Sequence, residues 1–232
     1  MIDRPLSTKS YALKGATLDI TDYATSDTPR IVARELKKDC YNLDAIRFRP
    51  GDVVVDIGAN VGMVSIYIAK RFPVVRVLAF EPIPDNYAHL LTNIAGNGVT
   101  NVVPHQMAVT SDGRDLRMIV NFANNSGGGT GNLRDMDLPA HDYYTVKSTT
   151  LDQVFAANAI TMCRLLKIDC EGAEHEILMN AKCLDRVEYL SGEFHINRHL
   201  EAQGYSSERL IAHCRTCIAA GKLKVSSIRM AE

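Results

Sequence analysis

No charge of one sign dominates this sequence. Its 26 Lys plus Arg residues stand against 27 Asp plus Glu, a formal net charge of −1. That balance gives no electrostatic pull toward a polyanion, so a nucleic-acid partner is not expected. No apolar run approaches the length of a membrane span. The first residues, MIDRPLSTKS, lack the apolar core of a secretory signal. These absences point to a cytoplasmic protein with no membrane partner. Disulfides are not expected either. The six cysteines, Cys40, Cys163, Cys170, Cys183, Cys214 and Cys217, sit mostly in apolar or helical patterns, as reduced, packed thiols do. Cys214 and Cys217 form a CxxC beside His213, but zinc would need a second ligand pair and none stands at suitable spacing.

What is present is an alternation. The chain has 232 residues, 46% hydrophobic and 23% charged, enough for one sizeable core. Val53-Val54-Val55 is an apolar run ending at Asp56, and Val61 to Phe72 follows with Val64, Ile68 and Phe72 on one helical face. VVRVLAF is a second strand ending at Glu81. Pro82 and Pro84 break the chain, and Asp85 to Ala95 reads as a helix stopped by GNGVTN. NVVPH is a short third strand. RLLKID is a fourth, with EGAEHEILMNA as the helix after it. VEYLSGEFH is a fifth, Ser206 to Ala220 a helix, and KLKVSSIRM a last strand. Buried strands alternating with helices predict an α/β fold, a mostly parallel twisted sheet with helices on both faces. Such sheets bind ligands beyond the carboxyl ends of their strands. The positions there are Asp56, Glu81, Met107, Ala108, Asp169, Glu171, Glu193 and His195.

Two segments stand outside this alternation. Residues 1–50 form an N-terminal extension expected to pack on the core, with a strand-like ATLDI and a helix that has Thr28 as N-cap and Pro29 at its first position. Residues 51–232 form the ligand-binding domain, carrying an insert at about 110–150. The insert contains NFANNSGGGTGN, too glycine-rich to pack, which is either a mobile lid or a plain disordered loop.

The turn after the first apolar strand narrows the ligand. A dinucleotide fold wants G-x-G-x-x-G, whose second glycine lets pyrophosphate lie on bare backbone. Here the run is Gly58-Ala59-Asn60-Val61-Gly62, with Asn60 at the position needing no side chain. A triphosphate loop would close on Gly-Lys-Ser/Thr, which Met63-Val64 excludes. Asp56 at the strand end repels phosphate and attracts ammonium. S-adenosylmethionine carries an ammonium, a sulfonium and no phosphate. Glu81, 19 residues beyond Gly62, is placed to accept from both ribose hydroxyls, a feature NAD folds share.

The segments VVVDIGANVG, AFEPIPDN, TTLDQVF and above all LLKIDCEGAEHEIL resemble the FkbM-type methyltransferases, a class I S-adenosylmethionine-dependent group. The resemblance runs from about Asp27 to His195. It implies a Rossmann-like methyltransferase sheet and O-methylation of sugars or natural products. It also implies that Asp56, Gly58, Asn60 and Gly62 line the methionine end of the cofactor, that Glu81 binds the ribose, that Asn86 supports the cofactor, and that Met107 and Ala108 flank the adenine. The sequence departs from the class in one respect. Class I sheets usually close with an antiparallel hairpin, and only KLKVSSIRM follows the last helix. Either ATLDI takes the missing place or the edge pairs with a second subunit, as a homo-oligomer.

The reaction centre is expected at the ends of strands four and five. Asp169 and Glu171 would stand beside the methyl group, while Glu174 would cap the first turn of the next helix. Glu193 and His195 share one side of their strand. His195 is a candidate base for a hydroxyl, with Asp169 and Glu193 beside it. The same three, Asp169, Glu193 and His195, also form a candidate site for Mg²⁺ or a similar ion. The expectation is an O-methyltransferase acting on a small hydroxylated metabolite. Its competitors are an NAD-dependent oxidoreductase, disfavoured by Asn60, and a non-catalytic cofactor-binding protein of the same fold. A nucleic-acid or amide N-methyltransferase would carry an Asn/Asp-Pro-Pro-aromatic turn where this chain has Asp169-Cys170-Glu171-Gly172.

Overall fold

The computed structural model describes residues 4–118, 120–121, 126–127 and 144–230. The chain opens with β1 (Leu6–Leu13), β2 (Ala16–Tyr23) and α1 (Thr28–Lys37). The first half of the core is β3 (Val53–Ile57), α2 (Met63–Arg71), β4 (Arg76–Phe80), α3 (Pro84–Gly96) and β5 (Val102–His105). Short strands follow: β6 (Ala108–Thr110), β7 (Leu116–Met118), β8 (Val120–Asn121), β9 (Ser126–Gly127), β10 (Tyr144–Val146) and β11 (Ser148–Thr150). The second half is α4 (Leu151–Ala157), β12 (Cys163–Ile168), α5 (Glu174–Asn180), β13 (Val187–Ile196), α6 (Arg198–Ala202), α7 (Ser207–Cys214) and β14 (Leu223–Arg229).

Six strands make the central sheet in the order β14-β13-β12-β3-β4-β5, and every neighbouring pair is parallel. β3 is buried at every position because helices cover both faces, which is why its sequence runs apolar rather than alternating. The chain winds outward from β3 through β4 to β5, then returns to the other side of β3 and winds through β12 and β13 to β14. The reversal opens a crevice between the carboxyl ends of β3 and β12. No helix among the described residues is long and apolar enough to cross a membrane. The glycine-rich run NFANNSGGGTGN lies largely outside the described residues. Its base is ordered as a β7–β10 antiparallel pair and a β6–β11 parallel pair.

The sheet's far edge differs from one of the two expectations. ATLDI does not fill the place of the missing antiparallel strand. It belongs to β2, which pairs with β1 in a separate hairpin. β14 lies parallel on β13 and is the sheet's edge. Local boundaries also shift. Asp27, not Thr28, is the N-cap of α1, its carbonyl accepting from the Arg30 and Ile31 amides. α5 starts at Glu174 rather than Glu171, because Glu171 (φ 56°) and Gly172 (φ 107°) are left-handed and cannot be helical. α7 ends at Cys214, where the Thr216 hydroxyl takes the His213 carbonyl. The His213 ring bonds the Leu178 carbonyl at 3.1 Å, and all six thiols are free.

The N-terminal segment shares the core. Leu18, Ile20, Leu36, Tyr41 and Leu43 pack in one cluster with Val54, Ile66 and Tyr67. Leu18 and Ile20 point inward from β2, which pairs with β1 along one edge and has its other edge left with unpaired main-chain groups. Asn93 on α3 and Asn97, the C-cap of that helix one turn on, satisfy it. Asn93 accepts from the Thr21 amide at 2.7 Å and donates to the Thr21 carbonyl at 3.0 Å and the Val61 carbonyl at 2.8 Å. Asn97 accepts from the Asp19 amide at 3.1 Å and donates to the Asp19 carbonyl at 2.7 Å. Each carboxamide copies the donor–acceptor pair of a neighbouring strand. Asn93→Ala should therefore lower stability by about 2–4 kcal/mol, since buried partners lose their bonds. Asn97→Ala, at a half-buried position, should cost less. Urea midpoints at constant m-value measure both.

Candidate active site

The turn after β3 explains its own spacing. Gly58 (φ 78°), Asn60 (φ 50°) and Gly62 (φ 93°) are all left-handed. A Cβ on Gly58 would stand 1.8 Å from the Asp169 carbonyl oxygen, so β12 comes too close for any side chain there. Asn60 is among the few residues that tolerate this conformation. Its Oδ1 accepts from the Val61 amide at 2.8 Å. The other amides are also committed. Gly58 and Ala59 both donate to the Phe80 carbonyl at 3.0 Å, Asn60 donates to Glu81 Oε2 at 2.9 Å, and Gly62 donates to the Ala59 carbonyl at 2.9 Å. Every amide of the turn is used internally, so none is turned out to cradle a pyrophosphate.

Asp56 lies beneath this turn, fully buried. It accepts from the Ser65 hydroxyl at 2.6 Å and faces Lys167 Nζ at 3.2 Å. The Lys167 ammonium also donates to the Gly58 carbonyl at 2.7 Å and lies 3.8 Å from Asp169 Oδ2. Burial works against the lysine's charge, but Asp56 and Asp169 outweigh it and hold its pKa above the ordinary value. The Asp56 carboxylate is thus engaged with inner partners rather than turned into the crevice.

The crevice lies at the strand ends, where small-molecule sites form, and spans about 960 Å³ of unfilled space including the solvent at its mouth. Gly58, Asn60, Glu81, Met107, Ala108, Asp169 and Glu171 line it, whereas Asp56, Gly62, Asn86, Glu193 and His195 do not. Gly62 instead seats the turn against Leu90 and Ile66. Asn86 donates to Glu81 Oε1 at 3.4 Å and so braces a lining residue from behind. Glu81 also accepts from the Ile83 amide at 3.0 Å. The lining includes residues that the sequence reading passed over. Lys167 is a charge inside the apolar run RLLKI, a signal available in the sequence. Thr28, Val32 and Tyr41 come from the N-terminal segment. Leu116 and Met118 come from the base of the insert and pack with Ile83 and Ala108 into an apolar wall.

Beyond this wall, the ends of β12 and β13 gather carboxylates around one imidazole. His195 Nδ1 is 3.0 Å from Glu174 Oε1. Its Nε2 faces Glu193 at 3.6 Å, Glu171 at 3.7 Å and Asp169 at 4.0 Å. Burial pulls the pKa of His195 down, but the bond to Glu174 and the charges of Glu174, Asp169 and Glu171 raise it to about 9. Burial first, then Asp169, pushes Glu193 up to about 7. The donor atoms of Asp169, Glu171 and His195 all lie within 4.8 Å of one another, the spacing of a cation site. This grouping takes Glu171 in place of the Glu193 expected with Asp169 and His195.

An apolar crevice at the switch point, a carboxylate at the second strand end and a turn closed to phosphate define a Rossmann-like domain of the class that binds S-adenosylmethionine. Residues 56–218 match the methyltransferase FkbM domain, and the chain belongs to that family. It is similar to the 31-O-demethyl-FK506 methyltransferase FkbM of Streptomyces tacrolimicus, with 30% identity over 70% of this chain and 73% of that one. It is similar to the AMB antimetabolite synthetase AmbE of Pseudomonas aeruginosa, with 28% identity over 81% of this chain but only 10% of that one. The hexuronic acid methyltransferase AglP of Haloferax volcanii is 24% identical over 62% of this chain and 56% of its own length.

Burial raises the pKa of Glu81 to about 7, against the lowering effect of its bonds from Ile83, Asn60 and Asn86. A raised acid holds its proton in the folded state. The stability it contributes to the free protein is present below the ordinary carboxylate range and is lost as pH rises through about 7. If Glu81 takes ribose hydroxyls, as the sequence leads one to expect, binding runs the other way, because hydroxyls donate to the ionised form. Titration calorimetry with S-adenosylhomocysteine between about pH 6 and 8 should show affinity rising with pH and a proton released on binding. Glu81→Gln should lose that pH dependence and bind about 1–3 kcal/mol more weakly.

Proposed function

We propose that the protein transfers a methyl group from S-adenosylmethionine to a hydroxyl of a small metabolite, a sugar or natural-product intermediate. The observation that carries this reading is the acid–histidine cluster at the ends of β12 and β13, beside the crevice that Glu81 lines. Two relatives, one named for methylating demethyl-FK506 and one for methylating a hexuronic acid, agree with it.

The chain's residues fit the donor. Glu81 takes the ribose hydroxyls. Met107 and Ala108, with Ile83, Leu116 and Met118, supply the apolar wall an adenine needs. Gly58 and Asn60 border the methionine end, with Asp56 and Gly62 fixing the turn from behind. S-adenosylmethionine supplies an already activated methyl, so what remains for the protein is to orient the acceptor and take its proton. A free His195 at about 9 is protonated near neutrality and has no lone pair to accept that proton. The excess of carboxylates over positive charge instead favours a hard divalent ion such as Mg²⁺ or Mn²⁺, held by Asp169, Glu171 and His195 with Glu193 adjacent. Such an ion would supply the charge that makes a hydroxyl more acidic. Near-zero net charge and six free thiols support a small-molecule acceptor over a nucleic acid, and a cytoplasmic setting.

The test combines binding with turnover. S-adenosylhomocysteine should bind and NADH should not. EDTA should abolish methyl transfer, and Mg²⁺ or Mn²⁺ should restore it. Asp169→Asn and Glu171→Gln should lose the metal response and lower kcat by about 10²–10⁴. Tight NADH binding would end the methyltransferase reading. Full turnover in EDTA, with loss in His195→Ala, would return His195 to the role of free base.

A further inference from the structure

We infer that Glu174 is a positioning residue for the reaction centre, holding His195 with Nε2 toward Asp169, Glu171 and Glu193 while fastening the loop that carries two of those acids. The inference rests on the proposed reaction centre. Glu174 is the first residue of α5 and has no exposed surface. A helix cap would direct its carboxylate at the amides of its own first turn. Instead its bonds run backward and across. Oε1 accepts from the Cys170 amide at 2.8 Å and Oε2 from the Gly172 amide at 2.9 Å. Oε1 also meets His195 Nδ1 at 3.0 Å.

Each contact has a consequence. Between the two amides stands Glu171, a non-glycine residue at φ 56°, followed by Gly172 at φ 107°. A left-handed glutamate is costly and persists only where its surroundings hold it. The carboxylate of Glu174 grips the residue on each side, which sets the direction of the Glu171 side chain. The contact with His195 settles the other half. With Nδ1–H donating to Glu174, Nε2 is the nitrogen left for the acids, the cation or the acceptor. The next residue adds a second hold, since the ring of His175 donates from Nε2 to the His195 carbonyl at 2.9 Å. The first two residues of α5 therefore grip both the ring and the main chain of His195.

Glu174→Gln keeps volume and length but places an amide N–H₂ where carboxylate oxygens now face donors. It should bind S-adenosylhomocysteine within threefold of the parent, because Glu174 does not line the crevice. Its kcat should fall by about 10–100-fold, with Mn²⁺ affinity measured by calorimetry falling by a similar factor. A readout separate from turnover is long-range ¹H–¹⁵N NMR of the imidazoles, with His195 assigned by comparison with His195→Gln. The parent should show a slowly exchanging proton on His195 Nδ1, and Glu174→Gln should lose it. If the parent binds no Mn²⁺ and ignores EDTA, the cation reading falls, while loss of both kcat and the Nδ1 proton in Glu174→Gln still supports the inference. Unchanged kcat or an unchanged Nδ1 proton in that variant overturns it. If Glu174→Gln does not fold, absence of a slowly exchanging Nδ1 proton in the parent overturns it, and its presence with loss in Glu174→Asp supports it.

Discussion

A lysine shut away from water ties together the two strands on which this molecule turns. Lys167 stands on β12 and reaches across to β3, where its ammonium meets Asp56 and the carbonyl of Gly58. Both charges are desolvated, so the pair contributes little net stability by itself. Removing one partner would nevertheless leave an uncompensated buried charge, a loss of about 3–5 kcal/mol. The pair's value is positional. It sets the end of β3 against the end of β12 at the reversal of the sheet, and the crevice opens there. The close approach of Gly58 to Asp169 is the steric side of the same constraint.

The same turn carries its selectivity in its main chain. Folds that hold pyrophosphate present free amides at the start of the helix. Here Phe80, Glu81, Asn60 and Ala59 have taken the amides of the turn that leads into α2, Gly58 through Gly62. The carboxylate of Glu81 is part of that arrangement, since Oε2 holds the turn through the Asn60 amide and Oε1 takes the Ile83 amide while the residue lines the crevice. Loop geometry and the lining of the crevice thus share one side chain.

Much of this was legible in the sequence because the strands of a doubly covered parallel sheet are continuous apolar runs, and function lies just past each of them. That rule alone points to Asp169, Glu171, Glu193 and His195, which the structure brings together in one cluster. Other features leave no local trace. The direction of β14 is invisible to hydrophobic pattern, since a parallel and an antiparallel edge strand read alike. Asn93 and Asn97 look like ordinary helix-face residues until β2, some 70 positions earlier, is placed beside them. Glu174 looks like a first-turn acid, because a helix start favours acids whatever they bond. Leu116 and Met118 fall in a segment whose composition suggested only a loop.

The segment before β3 contributes Thr28, Val32 and Tyr41 to the crevice, yet no strand of the parallel sheet, and it precedes the span matched by the family. It is attached by packing and by the carboxamides of Asn93 and Asn97 rather than by strand pairing. One wall of the crevice is therefore separable from the framework that holds the donor. Another hairpin and helix in place of residues 4–50 would recut that wall, provided it refilled the core places of Leu18, Ile20, Leu36, Tyr41 and Leu43. For an enzyme of this kind, the shape of the crevice can thus change through residues that belong to no strand of the sheet, as long as their apolar partners in the core are kept.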